Sequence, residues 1–255
     1  MEVLRTVPVV AAEDTRRTRR LLTHLGASPT LLSYHAHSKD NRRDSLLQIL
    51  ADGRDIALVS DAGTPAVSDP GADLVAAARD AGCTIVPIPG PSAVATALSA
   101  AGLPSDRYLF LGFIPRKGSE RTRLIARAAA EEWSVVFFEA PPRLGALLRD
   151  LTAVAGPDRR VVIGRELTKL HEELRCGTLG ELADYYSTIA PKGEITVVLE
   201  GTGAPPSPPD RTEEAVEKAT GWLADGLSRK EVIRRLTDSM GIPRNEAYRL
   251  VMELP

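Results

Sequence analysis

Residues 56–71 (IALVSDAGTPAVSDPG) are the segment that most restricts what this chain can fold into. The segment opens with four apolar residues, a run short enough for a β-strand that is buried on both faces. An acid, a glycine and a proline follow within a few residues, and an alanine-rich helix is predicted over residues 72–81, with Asp69 as its N-cap and Gly82 at its end. A strand, a loop and a helix in this order are typical of an α/β sheet, in which ligands bind at the carboxyl ends of the strands.

The loop after this strand is the first candidate binding segment. Aspartate, glycine and proline also occur in ordinary turns for backbone reasons alone, so a plain connection is the alternative. The loop carries two of each of these residues, which is more than a short strand-to-helix connection requires. We therefore expect residues 60–65 to bind a ligand.

A second loop of the same kind follows a strand predicted at residues 84–88. Its sequence, PGPSA, places Gly90 between two prolines and leads into a small-residue helix over residues 92–101. Small residues at the start of a helix let a ligand approach the free backbone N–H groups. Strands and helices alternate in this way up to an apolar segment at residues 108–113, which predicts a parallel sheet with helical crossovers.

The second half of the chain contains several predicted strands with few helices between them, which favours a mixed sheet. A proline-rich stretch, TGAPPSPPD, then precedes a helical tail in which Ser228 and Glu231 form a capping box. The sequence therefore predicts an α/β protein in four parts: an N-terminal domain with a parallel sheet (1–114), a second domain with a mixed sheet (115–201), a proline-rich linker (202–210) and a small helix-turn-helix-like module (211–255).

Composition excludes several classes of protein. The net charge of −2 gives no global field that would attract a polyanion, so any contact with nucleic acid must use local patches. Two cysteines provide neither a zinc site nor a disulfide framework, and no apolar run approaches the length of a membrane span. The first residues lack the apolar core of a signal peptide. We expect a cytoplasmic protein with no membrane partner.

The motifs of several enzyme classes are absent. Neither the G-x-S-x-G elbow of serine hydrolases nor the phosphate loop of NTPases occurs, and His35 and His37 have no third residue at a metal-binding spacing. We therefore expect no metal. A cleft between two α/β domains remains, lined by the loops at residues 60–65, 90–93, 139–142, 165–168 and 192–196. This arrangement predicts a small-molecule site, with a nucleotide as one option.

Two basic regions leave alternatives open. The four arginines of residues 16–20 follow a predicted strand, and they form either a solvated helix face or a phosphate-binding surface. The helical tail carries Arg229, Lys230, Arg234 and Arg235 on one helix, but eight basic residues of the tail are balanced by eight acidic ones. A small packing module with a solvated face is the alternative to a nucleic-acid-binding module there.

Six segments in order resemble the ribosomal RNA small subunit methyltransferase I family, which belongs to the tetrapyrrole-methylase superfamily of S-adenosylmethionine-dependent enzymes. They are VVAAEDTRRTRRLL (9–22), VSDAGTPAVSDPG (59–71), PIPGPSAVATALSAAGLPSDRYLFLGFIPRK (87–117), FFEAPPRL (137–144), RELTKLHEE (165–173) and KGEITVVLEG (192–201). The resemblance implies a two-domain tetrapyrrole-methylase-like fold with a helical C-terminal module. It also implies 2′-O-methylation of a cytidine ribose in the decoding region of 16S ribosomal RNA, by a homodimer that acts on the small ribosomal subunit.

The resemblance also implies where the methyl donor binds. The cofactor-binding positions that it implies are Asp61, Ala62, Gly63 and Thr64 in the first loop, Ser92 and Ala93 in the second, and Glu139 and Leu167 in the second domain. Members of the family begin with a strand and an Ile-Gly-Asn-Leu loop before the helix that corresponds to residues 2–6. Neither is present in this sequence, and we therefore expect the N-terminal domain to be truncated at its start.

A ribose hydroxyl is a poor nucleophile at neutral pH, so the enzyme must align the reacting atoms and accept a proton. The residues that we single out for this chemistry are Glu13, Asp14 and Lys169. The alternative is that the two acids only cap the next helix and pair with Arg16 or Arg17. For contacts with RNA phosphates we single out Arg16, Arg17, Arg116 and Lys117.

Two other functions remain open from the sequence. One is a methyltransferase that acts on a small tetrapyrrole with the same scaffold, and the RELTK segment and the helical tail weigh against it. The other is a nucleic-acid-binding regulator without catalysis, which would use the C-terminal helices.

Overall fold

A computed structural model describes residues 1–35, 40–203, 212–240, 242 and 244–254. The chain forms two compact units, residues 1–204 and residues 205–255. The elements of the first unit are α1 (Glu2–Thr6), β1 (Val9–Ala12), α2 (Thr15–Leu25), β2 (Thr30–Ser33), α3 (Asp40–Ala51), β3 (Ile56–Val59), α4 (Ala72–Asp80), α5 (Ala93–Ala101), β4 (Tyr108–Phe113), α6 (Ser119–Ala130), β5 (Ser134–Glu139), α7 (Leu144–Ala155), β6 (Arg160–Arg165), β7 (Glu173–Thr178), α8 (Leu179–Thr188) and β8 (Ile195–Leu199). The second unit contains α9 (Thr212–Ala224), α10 (Arg229–Met240) and α11 (Arg244–Glu253).

The first sheet has three parallel strands in the order β2-β1-β3. Its central strand, β1, is buried along its whole length. β3, predicted from its four apolar residues to be buried on both faces, is only partly buried, because it lies at the edge of this sheet. Tyr34, Leu46 and Leu74 pack against it from the segments that connect and follow the strands. The parallel sheet predicted for the N-terminal domain is confirmed.

The strand predicted at residues 84–88 is wrong. These residues have no regular secondary structure, and Val86 and Ile88 are 68% and 58% exposed. Two physical reasons account for the difference. Pro87 removes a backbone donor from the middle of the segment, and among the described residues β3 pairs only with β1, so the segment has no strand beside it.

The second sheet has five strands in the order β4-β5-β8-β6-β7, and it is mixed, as predicted. β4 and β5 are parallel, whereas the other neighbours are antiparallel. Alternate residues of its central strands face opposite sides. Val135 and Phe137 belong to the core formed with α7 and α8, whereas Val136 belongs to the core formed with α5. β4 is part of this sheet, so the sheet begins before the predicted domain boundary at residue 114.

The second unit has an apolar core of its own. Buried residues from all three helices form it, among them Ala219, Leu236 and Val251. Most of the predicted linker (residues 204–210) lies outside the described residues, and so do Gly241 and Pro243 of the predicted turn and His37. None of the helices in the described parts of the chain is long and apolar enough to cross a membrane.

Candidate active site

Three strands of the second sheet bring their ends together at one edge. Glu139, the last residue of β5, pairs with Ile195, the first residue of β8. Ile195 pairs in turn with Arg165, the last residue of β6. The loops after β5 and β6 and the loop before β8 therefore meet at this edge of the sheet.

The start of α5 lies at the same edge. Ser134, the first residue of β5, donates a hydrogen bond of 2.5 Å from its hydroxyl to the carbonyl of Pro104, which follows α5. The end of α5 is thus near the beginning of β5, and Val94 in its first turn belongs to the same apolar cluster as Phe138 and Leu167, near the other end of β5. Ser92, predicted as the first residue of the helix, is its N-cap and accepts a hydrogen bond of 3.4 Å from the Ala95 N–H.

Leu167 joins α5 to the loop after β6. A side chain at Gly164 would come within 3.0 Å of Leu167, so Leu167 lies directly over the backbone of β6. It packs with the buried residues that connect α5 to the sheet, Val94 among them, and it remains partly exposed. Ser92, Ala93, Glu139 and Leu167, all singled out from the sequence, therefore share one sheet edge.

The loops after β1 and β3 are tied together at the carboxyl edge of the first sheet. The Asp61 N–H donates to a Glu13 carboxylate oxygen at 3.3 Å, and the Asp14 N–H donates to Asp61 Oδ1 at 3.2 Å. Arg17 lies 3.4 Å from the other Asp61 oxygen. Asp61 thus holds the predicted catalytic acids next to the predicted cofactor loop, whose Ala62, Gly63 and Thr64 are exposed.

Asp69 does not cap α4, which corrects the sequence-based prediction. The N-cap is Gly71, and no side chain caps the helix. Burial of Asp69, together with the charge of Glu13 and smaller contributions from Asp61 and Glu194, raises the pKa of its carboxyl above the usual value. Since Glu194 belongs to the edge of the second sheet, carboxylates from the edges of both sheets lie within electrostatic reach of one another.

A close backbone contact also joins the two sheets. Gly112 has a φ of +63° in an irregular part of β4, where the register shifts between Phe110 and Phe113. A side chain there would come within 2.9 Å of the Ser68 hydroxyl oxygen. The loop that contains Asp69 therefore packs closely on the second sheet.

Two of the predicted catalytic residues, Asp14 and Lys169, have shifted pKa values. A side-chain hydrogen bond from Arg16 lowers the pKa of Asp14 to about 2. Although burial favours the neutral amine of Lys169, hydrogen bonds to Glu166 and Glu194 raise its pKa above the usual value. Asp14 is consequently a weak base, and Lys169 keeps its proton at neutral pH and acts as a cation.

The Glu139 side chain is buried and faces away from solvent. One of its oxygens accepts hydrogen bonds from the Ala140 N–H and from the Arg143 guanidinium, while Oε2 has no hydrogen-bond partner in the described structure. Arg143 also donates to the Ile114 carbonyl at 2.6 Å. The ion pair therefore fixes the start of the loop after β5.

The predicted RNA contacts lie at the ends of β1 and β4. Arg16 and Arg17 are exposed in the first turn of α2, and Arg16 lies beside a depression of about 470 Å³ that is lined by Thr15, Arg16, Arg19, Arg20 and Thr23. Arg116 and Lys117 lie three and four residues after the end of β4, and both side chains are exposed. β4 is parallel to β5. A larger cavity of about 760 Å³ is lined by Trp133, Ser134 and Glu200 among others, at the opposite end of β5.

Sequence reasoning missed the roles of Asp69 and Glu194. The signal for Asp69 was present in the SDPG motif, but a helix follows it and capping accounted for the acid. Glu194 lies in the loop predicted to line the cleft (192–196), but the sequence did not single it out within that loop. The pairing of β8 with β5 and β6 places it beside the ends of those strands.

Comparison with known proteins gives consistent results. Residues 1–183 match the family model of tetrapyrrole (corrin/porphyrin) methylases. The chain is 41% identical over 254 residues to ribosomal RNA small subunit methyltransferase I of Synechocystis sp., covering 100% of this chain and 91% of that protein. It is 40% identical to the protein of the same name from Escherichia coli O157:H7, covering 99% of this chain and 88% of that one. Diphthine synthase has a similar fold, with a TM-score of 0.61 at 17% identity, over 78% of this chain and 82% of that one.

Proposed function

The chain belongs to the tetrapyrrole methylase family, and from this premise we propose that it methylates the RNA of the small ribosomal subunit with S-adenosylmethionine as the methyl donor. We further propose that the acceptor is the 2′-oxygen of a cytidine ribose in the decoding region of 16S ribosomal RNA, and that the enzyme works as a cytoplasmic homodimer. The observation that carries the proposal is the 41% identity over 254 residues to ribosomal RNA small subunit methyltransferase I of Synechocystis sp.. The close approach of Ser68 to Gly112, near the end of β4, supports a site to which both sheets contribute.

The residues at these edges fit the chemical groups of the methyl donor. The start of α5 has backbone N–H groups without helical partners, which suit a carboxylate. Asp61, Asp69 and Glu194 supply negative charge for an ammonium and a sulfonium, and Leu167 supplies an apolar surface for a nucleobase. A side chain placed at Gly63 or Gly90 would meet open space, so the backbone of both loops is accessible.

The protein must position the ribose hydroxyl and accept its proton, whereas the bound donor supplies an electrophilic methyl group. In-line alignment of nucleophile, methyl carbon and leaving sulfur can account for several kcal/mol of the rate enhancement. Glu13 lies next to Asp61, and its carboxylate is our first choice as the proton acceptor. Asp69 is the second candidate, because a raised pKa brings a carboxylate closer to the basicity that general-base catalysis requires.

Cationic side chains around the edges would hold the RNA. Lys169 keeps its proton beside the second sheet, and the guanidinium of Arg16 stays charged beside the first. Arg17, Arg116 and Lys117 complete the proposed set of phosphate contacts. Such contacts position an RNA without reading its sequence, so we assign the choice of nucleotide to the fit of the cytidine in the cleft.

The direct test incubates the protein with tritiated S-adenosylmethionine and small subunits that lack methylation in the decoding region. We expect tritium in one cytidine, and the 3′-phosphodiester next to it should resist alkaline cleavage because the 2′-oxygen is blocked. Label that appears on a base or in another part of the RNA would contradict the assignment of the acceptor.

Substitutions at the proposed site then test which residues accept the proton and which bind the RNA. At saturating donor, we expect Glu13→Gln and Asp69→Asn to reduce kcat by roughly 100-fold if the residue accepts the proton. Lys169→Ala and Arg16→Ala should instead raise the KM for the subunit and weaken its dependence on salt. Unchanged turnover in both Glu13→Gln and Asp69→Asn would remove our assignment of the base.

The same assay separates the two rival functions. Transfer of label to a porphyrinoid and not to ribosomal subunits would identify a tetrapyrrole methyltransferase. Binding of subunits together with the donor, but without any transfer, would identify a regulator.

A further inference from the structure

The loop after β6 has an unusual backbone. Glu166 has a φ of +49° and Thr168 a φ of +67°, so non-glycine residues in the left-handed region lie on both sides of Leu167. Each such residue costs on the order of 1 kcal/mol or more, and for a β-branched residue such as threonine this conformation is a true outlier. The surrounding contacts must therefore hold the loop in place.

Glu166 makes most of these contacts through its carboxylate and its main chain, and the Glu172 carboxylate accepts a hydrogen bond of 2.5 Å from the Thr168 N–H. Its Oε1 accepts a hydrogen bond of 2.8 Å from the Glu194 N–H and lies 3.0 Å from the Lys169 ammonium. The Glu166 N–H donates to the Glu194 carbonyl at 2.9 Å, and the Lys169 N–H donates to the Glu166 carbonyl at the same distance. Lys169 also lies 3.0 Å from Glu194 Oε1, which closes the network.

Gly193 leaves room for this carboxylate. A side chain at Gly193 would come within 2.4 Å of the Glu166 carboxyl carbon, so the Glu166 side chain would have to leave its present position. The hydrogen bond from the Glu194 backbone, followed by that from Lys169, lowers the pKa of Glu166, so the carboxylate is ionised at neutral pH. Glu166, Gly193, Glu194 and Lys169 form what we call the loop clamp.

We propose that Glu166 is a positioning residue for the methyl donor: through the loop clamp it holds Leu167 over β6, next to the start of α5, as one wall of the donor pocket. The inference rests on the proposed function, because it requires the donor to bind at this edge. Leu167 is the residue that would contact the donor, and Glu166 acts only through it. A loop that merely supported the β6–β7 connection would not need strain on both sides of one partly exposed leucine.

The test is a double-mutant cycle measured by equilibrium binding of S-adenosylmethionine, without RNA and without turnover. Glu166→Gln and Leu167→Ala are made singly and together, and each Kd is measured by calorimetry. We expect Glu166→Gln to weaken binding by about fivefold, as release of a strained loop would, and Leu167→Ala by about tenfold. The double variant should bind no more weakly than Leu167→Ala, because both changes act on the same wall.

Two further variants distinguish a specific effect of Glu166 from a general effect of substitution. Gly193→Ala displaces the carboxylate without removing it and also strains the backbone, because Gly193 has a φ of +94°. We therefore expect a loss of affinity at least as large as in Glu166→Gln. Glu173→Gln is the matched control, since Glu173 pairs with Arg165 and Arg175 on the neighbouring strand and lies outside the loop clamp. We expect Glu173→Gln to bind the donor as the unmodified protein does.

The outcomes are distinct. Wild-type affinity in both Glu166→Gln and Gly193→Ala, or losses that multiply in the double variant, overturns the role of Glu166 while the proposed function stands. An unmodified protein that fails to bind the donor overturns the proposed function and this inference with it.

Discussion

Glu139 is a buried side chain at the end of β5 that ties down the loop beside the candidate site. The carboxylate accepts hydrogen bonds from the Arg143 guanidinium, which is itself largely buried. We predict that Glu139→Ala lowers the free energy of unfolding by about 3 kcal/mol, because it leaves the guanidinium without its anionic partner. Urea denaturation followed by circular dichroism measures this.

Glu120→Ala is the control for that change. Glu120 is exposed on α6, and its removal should alter stability by no more than about 0.5 kcal/mol. Equal effects of the two substitutions would show that the buried pair contributes nothing specific.

Thr168 provides a second prediction at the scale of one residue. Glycine adopts a φ of +67° without strain, so we expect Thr168→Gly to raise the free energy of unfolding by about 1 kcal/mol. Thr122, exposed on α6, is the matched site, because the same change in a helix should lower stability by a few tenths of a kcal/mol. A loss of stability in Thr168→Gly as large as that in Thr122→Gly would argue against strain in the loop.

At the scale of elements, two helical glycines differ in what surrounds them. A side chain at Gly145 of α7 would lie within 2.6 Å of the Tyr186 carbonyl oxygen of α8, whereas one at Gly221 of α9 would meet nothing. Gly145→Ala should destabilise the protein by about 2 kcal/mol, because α7 and α8 would have to move apart. Gly221→Ala should stabilise its helix by up to about 1 kcal/mol through helix propensity alone.

Thermal unfolding of both alanine variants measures this contrast. Since the chemical change is the same, the difference between them isolates the cost of the helix–helix contact. A stabilising Gly145→Ala would mean that α7 and α8 do not depend on this close approach.

Elements whose signals are local were predictable from the sequence. The β3 strand and the hydrogen bond from the Glu231 N–H to the Ser228 hydroxyl, which the predicted capping box requires, depend on residues within a few positions of one another. Residues 84–88 have the apolar pattern of a strand, but a strand also needs a neighbour to share hydrogen bonds with. The sequence of the segment alone does not show whether such a neighbouring strand exists.

The residues of the candidate site could be predicted only where they belong to a recognisable sequence motif. Ser92, Glu139 and Leu167 were singled out through the family resemblance, and the structure places them at one sheet edge. The environment of Asp69 and the loop clamp depend on contacts between residues far apart in sequence, such as Glu166 with Glu194. Pairings of this kind emerge only when the strands are assembled.

At the scale of the whole molecule, each unit has its own core and one tryptophan. Trp133 lies in the first unit, with Arg107 over its ring, and Trp222 packs against the core of the second. Replacing Trp222 by phenylalanine therefore leaves a fluorescence signal from the first unit alone. This makes the acid stability of the site-bearing unit measurable in the intact chain.

The first unit should lose stability in acid. The hydrogen bond from Tyr34 lowers the pKa of Asp73 below its usual value, and the hydrogen bond from Arg175 does the same for the pKa of Glu173. A carboxyl with a lowered folded-state pKa stabilises the fold above its unfolded-state pKa, and this contribution disappears as the pH falls through the folded-state value. Asp69 has a raised pKa and acts in the opposite direction.

Since several lowered carboxyls oppose one raised carboxyl, we predict that the urea midpoint reported by Trp133 in Trp222→Phe falls between pH 5 and pH 3. The double change Asp73→Asn and Glu173→Gln removes two of the titrating groups, so its midpoint should depend less on pH over the same range. Because the loop clamp belongs to the same unit, loss of donor binding should accompany this unfolding. A midpoint that stays constant from pH 5 to pH 3 would mean that these hydrogen-bonded carboxylates do not control the stability of the unit.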